Sequence, residues 1–151
     1  MTEALRSMPS AKPRRAVHIV LPAYNEEANM LPLLTSLRDA MDEHPLDYRV
    51  IVVDDGSRDR TATIVQEFAG EMPVRLIQHP VNQGLGATLR DGLLAAVQDA
   101  SDKDIIVTMD ADDTHTPGLI LRMTRMINEG YDVVGVHGDD DVLVAGVLHR
   151  G

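Results

Sequence analysis

YRVIVVDDGSRDRTATIVQEFAG, residues 48–70, contains a whole strand–turn–helix unit in 23 positions. The β-branched run YRVIVVDD (48–55) has no polar alternation, so it reads as a strand buried on both faces, the signature of a parallel sheet covered by helices. SRDRTATIVQEFAG (57–70) then sets Ile64, Val65 and Phe68 on one helical face and stops on a glycine. Between them, Asp55-Gly56 supplies a tight turn, and Ser57 or Asp59 is a candidate cap for the helix. Asp54, at the strand end, is less well explained by turn chemistry. An acid there accepts hydrogen bonds from a base or ribose in dinucleotide-binding folds.

The same rhythm extends in both directions. Upstream, AVHIVLP (16–22) is a short apolar strand, and EEANMLPLLTSLRDAM (26–41) repeats Met30, Leu33, Leu34, Leu37 and Met41 at helical spacing. Downstream, VRLIQH (74–79) is a third strand, and LGATLRDGLLAAVQDA (85–100) places Leu85, Leu89, Leu93 and Ala96/Val97 on one stripe, expected to face the core. DIIVTMD (104–110) is a fourth strand. TPGLILRMTRMINEG (116–130) opens with a Thr N-cap and a proline at the first helical position. YDVVGV (131–136) is a fifth strand. VLVAGVL (142–148) breaks the alternation, and reads first as a terminal strand, otherwise as an edge awaiting another chain or the start of something missing. Alternating strands and helices predict an α/β fold, mostly a parallel sheet with helices on both faces, as a single domain over 16–151.

Composition narrows the function. The 151 residues carry 14 basic and 24 acidic side chains, a net charge of −10, which argues against nucleic acid as a partner. There are no cysteines, which excludes disulfides, thiolate metal sites and cysteine nucleophiles and fits a reducing compartment, a cytoplasmic location. No run reaches the ~18 apolar residues of a transmembrane helix. The first fifteen residues, with Arg6, Lys12, Arg14 and Arg15 against Glu3, read as a flexible basic tail. Alternatively they form an arm for anionic lipid headgroups, at ~1 kcal/mol per basic residue.

Polar residues are distributed unevenly along the chain. Three expected strand ends carry clusters: PAYNEE (22–27), DDGSRDRT (54–61) and DADDTH (110–115). The loops at the opposite ends are generic. Ligands of open parallel sheets bind beyond the carboxyl ends of the strands, where strand order reverses. Asp110 and Asp112 in one turn bring two carboxylates toward a single point, where like charges ~4 Å apart repel by about 4 kcal/mol at an effective dielectric of 20. A divalent cation, Mg2+ or Mn2+, offsets that repulsion and shares its remaining positions with substrate phosphates. His115 lends an imidazole to that site, orients a phosphate oxygen, or only begins the next helix. Read alone, the tripeptide is also a solvated Asp-rich turn ahead of a helix. Asp110, Asp112 and Thr114 also match the nucleophile loop of haloacid-dehalogenase-type phosphatases, although that loop follows the first strand of its fold. Gly84 and Gly86 open a helix where backbone can approach a phosphate. Arg90 lies a turn further on, able to reach an anion or to sit on the surface. His18, within a strand, reads as structural.

Taken in order, PAYNEE, VVDDGSRDRT, NQGLGATLRDGL and MDADDTHTPGLI resemble the inverting family 2 glycosyltransferases of GT-A fold, over roughly residues 16–136. The D-A-D-x-[ST]-H form looks most like the branch that transfers a sugar to dolichyl or polyprenyl phosphate. By position, the resemblance implies that Pro22, Tyr24, Glu26 and Asp54 frame the nucleoside. It implies that Asp110 and Asp112 hold the metal on the diphosphate, with Arg90 a diphosphate neighbour. The donor is then a UDP- or GDP-sugar and the acceptor a lipid phosphate at a membrane face. The resemblance covers the donor-binding half. Where that family shows a Gly-Ser-Arg-like segment after its fifth strand, this chain reads Gly135-Val136-His137-Gly138. The rival expectations are a nucleotide-sugar-binding module without transferase activity, or a subunit that pairs through VLVAGVL with a partner chain or in a homo-oligomer.

Overall fold

A computed structural model describes residues 15–44, 46–111, 117–131, 133–137 and 142–147. The tail before Arg15, the stretch Asp112 to Thr116 and the acids Asp139–Asp141 lie outside the described residues. Among the described residues six strands and four helices follow in chain order: β1 (Ala16–Ala23), α1 (Glu27–Asp42), β2 (Asp47–Asp54), α2 (Thr61–Phe68), β3 (Val74–Gln78), α3 (Leu85–Asp99), β4 (Ile105–Thr108), α4 (Pro117–Asn128), β5 (Val133–His137) and β6 (Val142–Val147).

The strands form one sheet in the order β3-β2-β1-β4-β6-β5. β3, β2, β1 and β4 are mutually parallel. The chain steps outward from β1 through β2 to β3 and then returns to β4 on the other side of β1. The reversal of strand order therefore falls between β1 and β4. β6 runs antiparallel between β4 and β5. VLVAGVL is a strand, as its first reading has it, and the alternative is corrected: β6 is not an edge awaiting a partner chain, because β4 and β5 pair with its two sides. The edges are β3 and β5, and β5 is not hydrogen-bonded to the parallel set.

Helices cover both faces, unequally. One face packs Val17, Ile19 and Leu21 of β1, Val50 and Val52 of β2, and Ile105 and Val107 of β4 against α1, α2 and α4. Met30, Leu33, Leu34, Leu37 and Met41 of α1 are all buried there, as their spacing predicts. Among the described residues, the alternate side chains Val20, Ile51 and Val53 pack against α3, through Ala95 and Ala96.

Two expectations about helices change. The buried stripe of α3 is Thr88, Gly92, Ala95 and Ala96, while Leu85, Leu93, Leu94 and Val97 are exposed. Close approach is the reason: a Cβ on Gly92 would lie 2.4 Å from Val20 Cγ1, so only small residues fit under the helix. α2 begins at Thr61 rather than Ser57, and its N-cap, Arg60, makes no side-chain capping bond. Residues 57–60 instead bond to the loop after β1. His18 is buried on β1 with Nε2 2.9 Å from Asp104 Oδ2, consistent with a structural role. Among the described residues no helix is long and apolar enough to cross a membrane.

Candidate active site

The loops that follow β1 and β2 are interlocked by hydrogen bonds. Asn25, held at φ 51°, donates its amide to Ser57 Oγ (2.8 Å), and its Oδ1 accepts the Arg58 amide (2.9 Å). The Glu26 amide donates to Thr61 Oγ1 at 2.9 Å, and the Glu27 carboxylate accepts the Arg60 amide at 2.9 Å. Asp59 receives the amides of Thr61 (2.9 Å) and Glu27 (3.1 Å). Burial pushes the Asp59 carboxyl up, but the bonds from Thr61 and Glu27 outweigh it and hold its pKa below the usual carboxylate range. The Asp55 amide donates to Ala23 O at 2.8 Å, continuing the β1–β2 ladder past both strands.

On this base, at the strand-order reversal, lies an open cleft of about 420 Å3. Pro22, Tyr24 and Glu26 line it from the end of β1, Asp55 from the end of β2, and Asp110 and Ala111 from the end of β4. Asn82, Gly84, Leu85 and Thr88 complete the wall from the β3–α3 connection. Four sequence-derived candidates, Pro22, Tyr24, Glu26 and Asp110, are thus brought into one space.

Two others are not. Asp54 is buried, absent from the cleft lining, and its Oδ1 accepts the Ser57 amide at 3.1 Å. Its neighbour Asp55, assigned to turn chemistry by the sequence alone, is the acid that reaches the cleft. Arg90 is mostly exposed with Nε 3.3 Å from Asp91 Oδ1, and it does not line the cleft. Asp112, the second carboxylate of the expected metal pair, lies outside the described residues.

Sequence reasoning missed how the far wall is held. Asp55 Oδ1 accepts the Gln83 amide (2.8 Å) and Oδ2 the Gly84 amide (3.0 Å). His79 stands between two acids, Nδ1 2.8 Å from Asp55 Oδ1 and Nε2 2.8 Å from Asp91 Oδ2. Burial alone would raise the Asp55 pKa, yet the bonds from His79 and the two amides hold it below the ordinary range. Gly56, at φ +75°, lets this wall approach, since a Cβ there would lie 2.6 Å from both Asn82 N and Val81 C.

The carboxylates Glu26 and Asp110 are hard oxygen donors on the cleft, and among the described residues no imidazole or sulfur lines the same space. That donor chemistry fits Mg2+ or Mn2+. Among the described residues no three His, Asp or Glu side chains form a self-sufficient metal cage. Such a cation, held by one or two carboxylates and by substrate phosphates, does not require one.

Residues 18–144 match the family described as Glycosyl transferase family 2. An undecaprenyl-phosphate 4-deoxy-4-formamido-L-arabinose transferase of Shewanella sediminis is 34% identical over 130 residues, which is 84% of this chain and 38% of the relative. A dolichol-phosphate mannosyltransferase of Pyrococcus furiosus is 34% identical over 117 residues, 78% of this chain and 31% of the relative. Among solved structures, S. aureus TarS 1-349 in complex with UDP-GlcNAc superposes with a TM-score of 0.64 at 26% identity, over 78% of this chain and 33% of that one. Glucosyl-3-phosphoglycerate synthase from Mycobacterium tuberculosis, in complex with Mn2+, UDP and phosphoglyceric acid, does so with a TM-score of 0.60 at 27% identity, over 79% of this chain and 42% of that one. The chain spans about a third of the length of these curated relatives.

Proposed function

The chain belongs to glycosyl transferase family 2, and from that premise we propose that its cleft binds a UDP- or GDP-sugar as donor for transfer to a polyprenyl or dolichyl phosphate. The carrying observation is that Pro22, Tyr24 and Glu26 at the end of β1 and Asp110 just beyond β4 line one cleft at the strand-order reversal. The relatives named as undecaprenyl-phosphate and dolichol-phosphate sugar transferases support the acceptor class. The solved relatives that hold UDP-GlcNAc, or UDP with Mn2+, support the donor class and the ion.

In this reading Pro22, Tyr24 and Glu26 hold the nucleoside end of the donor, and Asp110 and Asp112 hold the cation at the diphosphate. When bound, Mg2+ or Mn2+ supplies Lewis acidity toward the departing diphosphate. Asp55 acts indirectly, through the bonds its carboxylate accepts from His79 and the Gln83 and Gly84 amides. Asp54 likewise sets the turn through Ser57. The reaction is a single displacement at the anomeric carbon: the acceptor oxygen bonds to that carbon as its bond to the nucleoside diphosphate breaks, with inversion. A phosphate acceptor is already anionic and asks for no strong general base, unlike an alcohol. A lipid-phosphate acceptor puts the reaction at a membrane face, with this domain peripheral to it.

Calorimetric titration of UDP, GDP and their sugar conjugates, with Mn2+ and then with chelator, tests the donor reading. Metal-dependent binding that prefers one base is expected; no binding to any of them refutes it. The rival reading, a nucleotide-sugar-binding module that transfers nothing, shares the cleft. Sugar transfer to polyprenyl phosphate separates the two.

A further inference from the structure

We propose that His79 is a positioning residue for the cleft: as an imidazolium donating from both ring nitrogens, it ties Asp55 to Asp91 and so fixes the wall carrying Asn82, Gly84 and Thr88. The geometry requires two donors. Nδ1 and Nε2 each lie 2.8 Å from a carboxylate oxygen. Asp55 already accepts two backbone amides, from Gln83 and Gly84, so it is ionised and acts as an acceptor only. Asp91 accepts from Arg90 Nε on its other oxygen at 3.3 Å. A neutral imidazole has one N–H and satisfies one of these acids; the imidazolium satisfies both.

The ring lies where three elements meet. Its own backbone amide donates to Asp54 O at 2.8 Å, anchoring it to the end of β2. Through Asp55 it supports the Gln83 and Gly84 amides at the start of α3, where Gly84 holds φ 95° and ψ 164°. Through Asp91 it holds the second turn of that helix, one turn beyond Thr88. His79 is itself 7% exposed and absent from the cleft lining, so it works through the wall and not on a ligand.

The charged groups facing it agree. Asp55 comes from the end of β2 and Asp91 from α3, with Arg90 on the far side of Asp91. The bond to Asp55 raises the His79 pKa above 6.5; burial opposes this and Asp91 adds to it. The folded pKa is therefore higher than the unfolded one. The bridge contributes fully below about pH 6.5 and is lost as pH rises through the folded value. Deprotonation leaves two carboxylates facing each other across a neutral ring with one bond between them.

The binding arm of the test rests on the donor reading; the amide arm does not. In the full chain, 1H–15N spectra follow the His79 ring nitrogens and the Gln83 and Gly84 amides against pH, while UDP and GDP affinities are measured with Mn2+ over the same range. His79 is expected to titrate above 6.5 with both amides moving at the same midpoint, and affinity to fall about three- to tenfold across it. In Asp91→Asn a neutral ring serves, donating Nδ1–H to Asp55 and accepting the amide at Nε2, so this fall disappears. The nucleotide's own ionisation is common to both proteins, and their difference isolates the bridge. Amides that ignore the His79 titration, or the same pH profile in both proteins, overturn the proposal. If neither nucleotide binds at any pH, the donor reading fails and the amide titration alone decides the role of His79.

Discussion

Gly92→Ala sets helix propensity against packing, and the structure decides the sign. Alanine in a helix interior is favoured over glycine by about 1 kcal/mol. A Cβ at Gly92, however, would lie 2.4 Å from Val20 Cγ1 and 3.0 Å from Val53 Cγ2. Carbon atoms sit comfortably at about 3.5–4.0 Å, so α3 or the sheet must give by about 1 Å. Val20 is buried on β1, which is hydrogen-bonded to β2 and β4 on its two sides, so the strand is the stiffer party. The helix yields, and it drags Asp91, the preceding residue, off His79. Overpacking of this kind costs about 1–3 kcal/mol, which exceeds the propensity gain over most of its range. The expected net loss is about 1 kcal/mol, or roughly 2–4 °C in Tm for a domain this size. Gly86→Ala is the internal control, since a Cβ there meets nothing within 4 Å on the same helix. Urea unfolding followed by circular dichroism should move the two midpoints in opposite directions, with Gly92→Ala also weakening nucleotide binding. A Gly92→Ala protein as stable as its parent would refute the close packing of α3 on β1.

Gly56→Ala meets backbone rather than side chain, 2.6 Å from Asn82 N, at φ +75°. Left-handed strain of about 1–2 kcal/mol plus displacement of the 81–82 wall should lower both stability and nucleotide affinity; calorimetry finding affinity intact would detach that wall from binding. Asp104→Ala removes the acceptor of the Ala16 amide (3.1 Å), the Ser101 amide (2.9 Å) and His18 Nε2 (2.9 Å), and should destabilise by about 2–4 kcal/mol in urea unfolding. Burial alone would raise the Asp104 pKa, but these bonds lower it from 3.8, so its contribution is present above that value and lost as pH falls through the folded one. The parent should therefore lose stability more steeply than Asp104→Asn in an acid titration below 3.8. Asp112→Ala should abolish metal-dependent nucleotide binding with the unfolding midpoint nearly unchanged; unaltered affinity would remove the metal-site assignment.

Local pattern made most of the frame legible. The uninterrupted β-branched run of β2 and the five-residue stripe of α1 each name their element and its buried face without reference to anything distant. The clustering of polar residues at alternate loops showed which end of the sheet to watch. It also collected Pro22, Tyr24, Glu26 and Asp110, all of which line the cleft. Periodicity misled on α3, where leucines at helical spacing form the outward face. Hydrophobicity reports what prefers burial, but the close approach of α3 to the sheet favours small residues, Thr88, Gly92, Ala95 and Ala96. The choice between Asp54 and Asp55 was likewise invisible, because adjacent residues at a strand end point to opposite sides of a turn.

The sequence by itself determined the elements, their α/β alternation and the family, since each depends on residues within a few positions or on motifs in fixed order. Only the tertiary structure decided which residues share a wall. It inserted β6 between β4 and β5, locked the loop at Asn25 to the loop at Ser57, and set His79 between Asp55 and Asp91, partners 24 and 12 residues away. Such pairings depend on how strands order themselves and how closely helices pack on them. Both are set by the whole core, and no local period in the chain encodes them.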